Sequence, residues 1–218
     1  ISSGLVGSEM CIRDRYPIQM YHSVHGPVLK DDNKAYALRF VGMDDVNHST
    51  AWLKMNKSKN IDEWLDALRM EQLASLNLVY ADKEDNIFFV HNVKSPVRDP
   101  NYNWKQVVPG NKSDLIWNNF HPFESVPQIL NPSSGYIFST NQNPFFVTAK
   151  EDNLSLSNFN PTMGFQTRTT NRAYRAYELL DPDKSISFGE LDKYKHDNKF
   201  SYNSCLLYTS PSPRDLMR

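Results

Sequence analysis

Few of the residue types that commonly do chemistry stand at a spacing that would let them act together. The six histidines are scattered, and no two lie four residues apart, the spacing that places two metal ligands on one face of a helix. Neither a G-x-S-x-G nucleophile motif nor a Walker phosphate loop is present. The segment 181–192 is similar to a calcium loop, but Ile186 stands where the loop needs glycine and Asp192 where it needs glutamate. We interpret it as a helix end followed by the cap of the next helix.

The composition limits the classes of protein to which the chain can belong. Its 218 residues carry 24 basic and 25 acidic side chains, and a formal net charge of −1 gives no electrostatic signature of nucleic-acid binding. No run of eighteen apolar residues and no signal-peptide pattern is visible, so we expect no membrane contact. The length suits one domain with a sizeable core. The two cysteines, Cys11 and Cys205, would ordinarily suggest a disulfide between the ends.

Both ends of the chain contain peptides that we interpret as cloning residue. The codons of Cys205–Asp215 can be written so that their reverse complement, read in a shifted frame, encodes Leu5–Asp14. One DNA element read in two orientations therefore explains both peptides, as expected for a sequencing adapter that flanks an insert. We predict that residues 1–15 and 205–218 are non-native, that residues 16–204 are an internal fragment of a longer protein, and that the cysteines do not pair.

The apolar pattern of the first half predicts both strands and a helix. Alternating residues favour strands at 19–24 and 35–41, joined by a turn at 25–34. Asn60, with Glu63 three residues later, is typical of a helix N-terminus. The runs LNLVYAD and IFFVH at 76–82 and 87–91 predict a hairpin, and their nearly continuous apolar character indicates strands covered on both faces.

The second half begins with a long segment of loop. Residues 95–134 hold many of the 13 prolines, but their interspersed aromatic residues favour a packed loop over disorder. A strand is predicted at 135–140, a helix at 172–180 and a short helix at 188–195.

The order of several short motifs resembles the penicillin acylase family. The motifs are YHSVHGPV at 21–28, ALRF at 37–40, AWLKM at 51–55, DEW at 62–64, LNLVYADKEDNIFFVH at 76–91, SPVR at 95–98, VPG at 108–110, NPSSGYIFSTNQNP at 131–144 and TNRAYRAYELL at 170–180. Each motif alone is weak, but the ordered set covers essentially all of residues 16–204.

The resemblance implies an α+β chain that forms part of the four-layer αββα fold of N-terminal-nucleophile hydrolases. Such bacterial enzymes cleave linear amide bonds of acylated substrates, after a precursor processes itself into two chains. The N-terminal Ser of the larger chain is the nucleophile, and its own α-amino group is the base. The matching region lies downstream of that Ser, so we expect this fragment of the larger (β) chain to lack the nucleophile and to be inactive alone. The expected partners are a small acylated amide and the α chain of the same precursor. The expected location is periplasmic or secreted.

The resemblance also implies roles for particular residues. Asn141 stands three residues before Pro144, where the family places its oxyanion-hole Asn, although Gln142 and Asn143 are neighbours that a misalignment could confuse with it. Arg172 matches the Arg that orients this Asn and the amino group of the nucleophile, and Arg175 serves as its comparison.

Four further residues fall at substrate or metal positions of the family. Trp52 and Leu76 are where the family lines its acyl pocket, with Asn77 adjoining it, although core packing is nearly as good an interpretation of the first two. Asp152 lies eleven residues after Asn141, as does a calcium-ligating Asp in some members. A structural Ca²⁺ is therefore the one cofactor we expect, and the remaining ligands cannot be traced.

One departure from the family pattern bears on the substrate. Thirty-one positions separate Asn141 and Arg172, more than in the penicillin-cleaving members, with an insertion around 154–168. This puts penicillin itself in doubt and fits the broader set that includes lipopeptide acylases and the acyl-homoserine-lactone acylases that degrade quorum signals. A non-catalytic binding protein that retains the fold is a separate alternative.

Overall fold

The structure, a computed structural model, describes residues 20–91 and 94–204. The chain divides into two compact units, whose described parts are residues 20–40 with 110–116, and residues 41–91 and 94–109 with 117–204. The predicted non-native ends, and with them Cys11 and Cys205, lie outside the described residues.

The smaller unit contains an antiparallel sheet of three strands, β1 (Tyr21–Ser23), β2 (Gly26–Asp31) and β3 (Lys34–Ala37). The prediction of a single turn over 25–34 was wrong, because β2 occupies most of that range. Two tight turns replace it, and the first is possible because Gly26 adopts a φ of 134° that other residues rarely reach. Its backbone oxygen accepts from Ser23 Oγ at 3.3 Å.

The larger unit begins with two helices and a second three-stranded antiparallel sheet. The helices are α1 (His48–Lys57) and α2 (Ile61–Leu68), and the sheet has the order β4 (Asn77–Ala81), β5 (Ile87–His91) and β6 (Gln128–Leu130). The predicted hairpin is confirmed, with Leu78 paired to Val90 and Ala81 to Ile87. Helix α1 was not predicted.

The sheet is covered on both faces, as its apolar strands predicted. Phe88 and Val90 belong to a core that includes Trp64 and Leu68 of α2, and the Trp64 ring meets the Phe88 ring edge-on at 5.8 Å. Phe89, which points to the opposite face, is fully buried with Ile129 and Val147. Successive residues of a strand face opposite sides, so three consecutive apolar residues of β5 serve two cores.

The rest of the larger unit is mostly loop, with two further helices. These are α3 (Asn171–Leu180) and α4 (Phe188–Lys195), and both were predicted. Ser187 and Glu190 cap α4 reciprocally, which confirms that segment 181–192 is a helix end followed by a cap. Short 3₁₀ turns lie in its loops at Phe123–Ser125, Leu156–Asn158 and Pro161–Met163, and a further one at Ser113–Leu115 belongs to the smaller unit.

The strand predicted at 135–140 was wrong. The segment makes one strand-like backbone hydrogen bond, from Phe138 N to Val147 O at 2.8 Å. Side chains bind two of its carbonyl oxygens: Tyr136 O accepts from Thr148 Oγ1 at 2.8 Å, and Phe138 O accepts from Gln142 Nε2 at 3.2 Å. Local side-chain hydrogen bonds of this kind compete with a strand ladder. The loop they hold carries Asn141.

Replacing Asn60 with alanine is expected to lower the free energy of unfolding of the chain by about 1 kcal/mol. The Asn60 side chain accepts from Glu63 N at 2.9 Å and so caps α2. Asn47 occupies the equivalent position before α1 but makes no side-chain cap, so Asn47→Ala is the matched control and should change little. Urea unfolding of the 218-residue chain followed by circular dichroism measures both. Equal losses in the two variants would contradict the assignment of the Asn60 cap.

Candidate functional site

Asn141 occupies a tight turn that its own backbone conformation helps to define. Its φ of 70° lies in the left-handed region, which asparagine tolerates better than most residues with a side chain. Such non-glycine outliers cluster at functional sites, where the surrounding structure must hold them. The side chain is exposed and lines a cleft of about 890 Å³.

The side-chain amides of the two neighbouring residues, Gln142 and Asn143, in contrast, make hydrogen bonds within the fold. Buried Gln142 donates from Nε2 to Phe138 O and Phe146 O, while its Oε1 accepts from Thr140 N at 2.5 Å. Buried Asn143 donates from Nδ2 to Thr167 O at 3.1 Å, and its Oδ1 accepts from Phe145 N at 3.0 Å. Of the three consecutive amides, Asn141 alone leaves its side chain for a ligand.

The cleft has polar and apolar parts that come from separate segments. The turn at 141–143 and His91 of β5 contribute polar groups, and the segment 163–171 contributes Met163 and Phe165 together with Arg168. The Arg168 guanidinium takes part in no ion pair among the described residues. A cleft of this size and mixed lining is typical of a site for a small organic molecule.

The segment between Asn141 and α3 builds one wall of the cleft through an aromatic cluster. Phe145, Phe159 and Phe165 form a triangle of rings with centroids 5.6–5.9 Å apart, and the His91 ring meets Phe165 at 5.7 Å. The long insertion that the sequence indicated is therefore packed against the residue four positions after Asn141. Edge-to-face aromatic pairs of this kind stabilise a defined loop position.

Arg98 contacts the same wall at Met163 and Gly164 without lining the cleft itself. Its guanidinium donates to Met163 O at 2.8 Å and lies 5.8 Å and 5.7 Å from the ring centroids of Trp104 and Trp117. Burial lowers the pKa of Arg98 from its ordinary value. Gly164, with a φ of 69°, packs directly against the guanidinium.

His91 is the site residue that the sequence did not reveal. Burial lowers the pKa of its imidazole to about 4, so the ring is neutral at ordinary pH. Its Nδ1 lies 2.5 Å from Oδ1 of Asn77, the first residue of β4. A histidine that ends an otherwise apolar strand is the signal that could have found it, since such a residue comes at the end of a buried strand, where the sheet meets the loops.

Arg172 and Arg175 of α3 have different surroundings. Arg172 is exposed in the first turn, next to cleft-lining Asn171, and no hydrogen bond or ion pair involves its side chain within the described part of the chain. Arg175 binds Asp197 with two 2.9 Å hydrogen bonds, which lower the pKa of Asp197 to about 2. Arg175 is therefore a structural residue, and its replacement would not be a neutral comparison for Arg172.

None of the three predicted pocket residues is among the residues that line this cleft. Trp52 lies on α1, 36% exposed, and its indole nitrogen donates to His48 Nε2 at 3.3 Å. Leu76 packs against the core that contains Trp64 and Leu68. Asn77 reaches the Asn141 turn, where its Nδ2 donates to Gln142 O at 3.2 Å. The acyl-pocket roles of Trp52 and Leu76 stay predictions.

Asp152 caps a turn in this structure. Its carboxylate accepts from Ser134 N at 2.7 Å and from Ser133 Oγ at 2.8 Å, and these hydrogen bonds lower its pKa. Within residues 20–91 and 94–204, no group of three or more His, Cys, Asp or Glu side chains could hold a metal ion. Backbone and amide oxygens can also bind calcium, so calcium binding through Asp152 stays a prediction.

An amide donor presented to a cleft on an α+β scaffold is the arrangement that acyl-transfer hydrolases use to stabilise an oxyanion. The model of the penicillin amidase family matches residues 8–211, a range that overlaps the ends 1–15 and 205–218. The chain therefore belongs to the penicillin amidase family.

Individual relatives agree with this membership. Penicillin G acylase of Escherichia coli is 35% identical over 129 residues, which cover 57% of this chain and 15% of that protein. The penicillin acylase 2 proenzyme of Pseudomonas sp. (strain SE83) is 29% identical over 121 residues, or 54% of this chain and 16% of the relative. The solved structure of thermostable penicillin G acylase from Alcaligenes faecalis matches with a TM-score of 0.64 at 25% identity, over 80% of this chain and 30% of that one.

The chain thus matches about a sixth of the length of these curated relatives. In the part of the chain that the structure describes, no helix is both long enough and apolar enough to cross a bilayer.

Proposed function

We propose that this chain is a segment of an amidohydrolase, and that its full-length parent cleaves linear amide bonds of acylated substrates. The parent would have the four-layer αββα fold and would use an N-terminal Ser nucleophile supplied by a segment outside this chain. The segment described here would supply the side-chain half of the oxyanion hole and one wall of the substrate cleft. It would be inactive alone.

The observation that carries this proposal is that, of the three consecutive amides at 141–143, those of Gln142 and Asn143 are buried and hydrogen-bonded, whereas Asn141 is exposed to the cleft. A neutral amide donor held by a rigid turn can meet the oxyanion that develops on the scissile carbonyl without reorganising. The hydrogen bonds of Gln142 and Asn143 hold the two sides of the turn, and the left-handed backbone of Asn141 presents its side chain to the cleft. This geometry supports an Asn141 amide that is already in place when the oxyanion develops on the scissile carbonyl.

The cleft supports an acylated substrate with an apolar acyl group. Met163 and Phe165 supply apolar surface to the cleft, whereas the turn at 141–143 supplies polar groups. Arg172 would orient Asn141 and the amino group of the nucleophile, and its place beside cleft-lining Asn171 supports that role. We also propose the α chain of the same precursor as its partner, and a periplasmic or secreted location for the parent.

The proposal is tested on the full-length parent protein. Purified parent should release amine from phenylacetyl, hexanoyl and dodecanoyl amides of 4-nitroaniline, and sequencing of its larger chain should find an N-terminal Ser. A panel of N-acyl-homoserine lactones distinguishes the quorum-signal acylase from the general amidase. A parent that processes into two chains but hydrolyses neither panel would contradict the proposal and would favour the binding protein.

A further inference from the structure

Asn77 joins two parts of the site that are distant in sequence. Its Nδ2 donates to Gln142 O at 3.2 Å and lies 3.3 Å from Ser139 Oγ, so it contacts the chain on both sides of Asn141. Its Oδ1 lies 2.5 Å from His91 Nδ1. The amide therefore ties the start of β4 to the Asn141 turn and to the last residue of β5.

The orientation of the Asn77 amide follows from its partners. A backbone carbonyl such as Gln142 O can only accept, so the nitrogen of Asn77 must face it and the oxygen must face His91. An amide oxygen also only accepts. His91 therefore carries its proton on Nδ1, and the neutral ring that burial enforces is held in this tautomer.

We propose that Asn77 is a positioning residue for the oxyanion-hole amide, and that His91 locks the Asn77 side chain in the orientation this requires. The inference rests on the proposed function of Asn141. The left-handed backbone of Asn141 is strained for a residue with a side chain, and the clamp at residues 139 and 142 supplies contacts that hold it. His91 acts through Asn77 and need not contact the substrate.

The clamp should matter for the rate more than for binding. An oxyanion donor contributes most when it is already aimed at the transition state, and small misplacements within a site can cost up to ~10²-fold. The hydrogen bonds through which Asn77 holds the turn go to Ser139 and Gln142, and not to the apolar cleft residues Met163 and Phe165. We therefore expect kcat to fall while KM changes little.

The test uses the full-length parent with four variants. Asn77→Asp keeps the oxygen that faces His91 but replaces the donor to Gln142 O, and kcat should fall ~10–100-fold with KM within about threefold of wild type. His91→Leu, which removes the donor to Asn77, should lower kcat in the same way. His91→Asn places an amide N–H near the position of Nδ1 and should recover most of the activity. Asn86→Ala, in the turn between β4 and β5, is the control and should keep wild-type kcat.

A second measurement does not depend on activity. Hydrogen exchange of the backbone amides at 139–147, measured by mass spectrometry, should become at least tenfold faster in Asn77→Asp and His91→Leu but not in His91→Asn or Asn86→Ala. Wild-type exchange in Asn77→Asp would overturn the inference, as would a wild-type kcat in that variant beside a strong loss in Asn141→Ala. If the wild-type parent hydrolyses no amide, the proposed function fails, and the exchange rates still decide whether Asn77 holds the turn.

Discussion

Replacing Asn141 with glycine or alanine is expected to lower kcat of the full-length parent by ~10²–10³-fold. The substitution removes the amide that the cleft presents, and the buried amides of Gln142 and Asn143 cannot substitute because their hydrogen bonds are already used within the fold. Steady-state hydrolysis of a chromogenic acyl anilide gives kcat, and a denaturing gel shows whether the autoprocessed chains still form. We expect both chains to be visible.

The two substitutions separate the side chain from the backbone. Asn141 has a φ of 70°, a conformation that costs alanine roughly 1 kcal/mol but that glycine adopts freely. A loss caused by backbone strain would therefore appear in the alanine variant and not in the glycine variant. Equal losses assign the effect to the missing amide, and wild-type turnover by the glycine variant would remove Asn141 from the site.

Replacing Phe89 with alanine is expected to lower the free energy of unfolding by about 3–5 kcal/mol. The ring is fully buried between β6 and the loop that carries Val147, where it forms a core with Ile129. Its loss leaves a cavity on the face of the sheet that supports the Asn141 loop. Because domains of this size are commonly stable by only about 5–15 kcal/mol, this loss is a large fraction of the total free energy of unfolding. Urea unfolding of the 218-residue chain followed by tryptophan fluorescence measures the change.

The matched control is the same substitution at a residue with the opposite burial. Phe188, at the start of α4, is 89% exposed, so Phe188→Ala should change the free energy of unfolding by less than about 0.5 kcal/mol. Similar losses at both positions would show that residue type, and not burial beneath the sheet, controls the effect. A change below about 1 kcal/mol in Phe89→Ala would contradict the core that we assign to it.

Elements that depend on nearby residues could be predicted from the sequence. The caps at Asn60 and Ser187 need only a partner three residues away, and the β4–β5 hairpin needs only its apolar strands and polar turn. The segment 135–140 has equally good strand residues, but the side chains of Thr148 and Gln142 donate to two of its carbonyl oxygens. Those side-chain hydrogen bonds have no periodic signature, so the strand was predicted where a loop is held instead.

The site could be predicted only in part, for a related reason. The resemblance indicated the turn at 141–144. Which of Asn141, Gln142 and Asn143 is the oxyanion-hole residue depends on which side-chain amides already make hydrogen bonds within the fold. Asn77 was expected beside the substrate, and its contacts with Gln142 and His91 became visible only in three dimensions. Membership of the penicillin amidase family and the α+β character of the chain are confirmed.

The contacts of Arg98 link two segments that are distant in sequence, so that exchanging one of them between relatives requires exchanging the other. The guanidinium lies against Trp104 and Trp117 in one segment and donates to Met163 beside Gly164 in the other. A chimera that received only residues 151–169 from a relative would have a new cleft wall but would lack the relative's residues at the positions of Arg98, Trp104 and Trp117, which contact that wall or each other. Recombination between family members would therefore transfer this wall intact only when residues 95–119 travel with it.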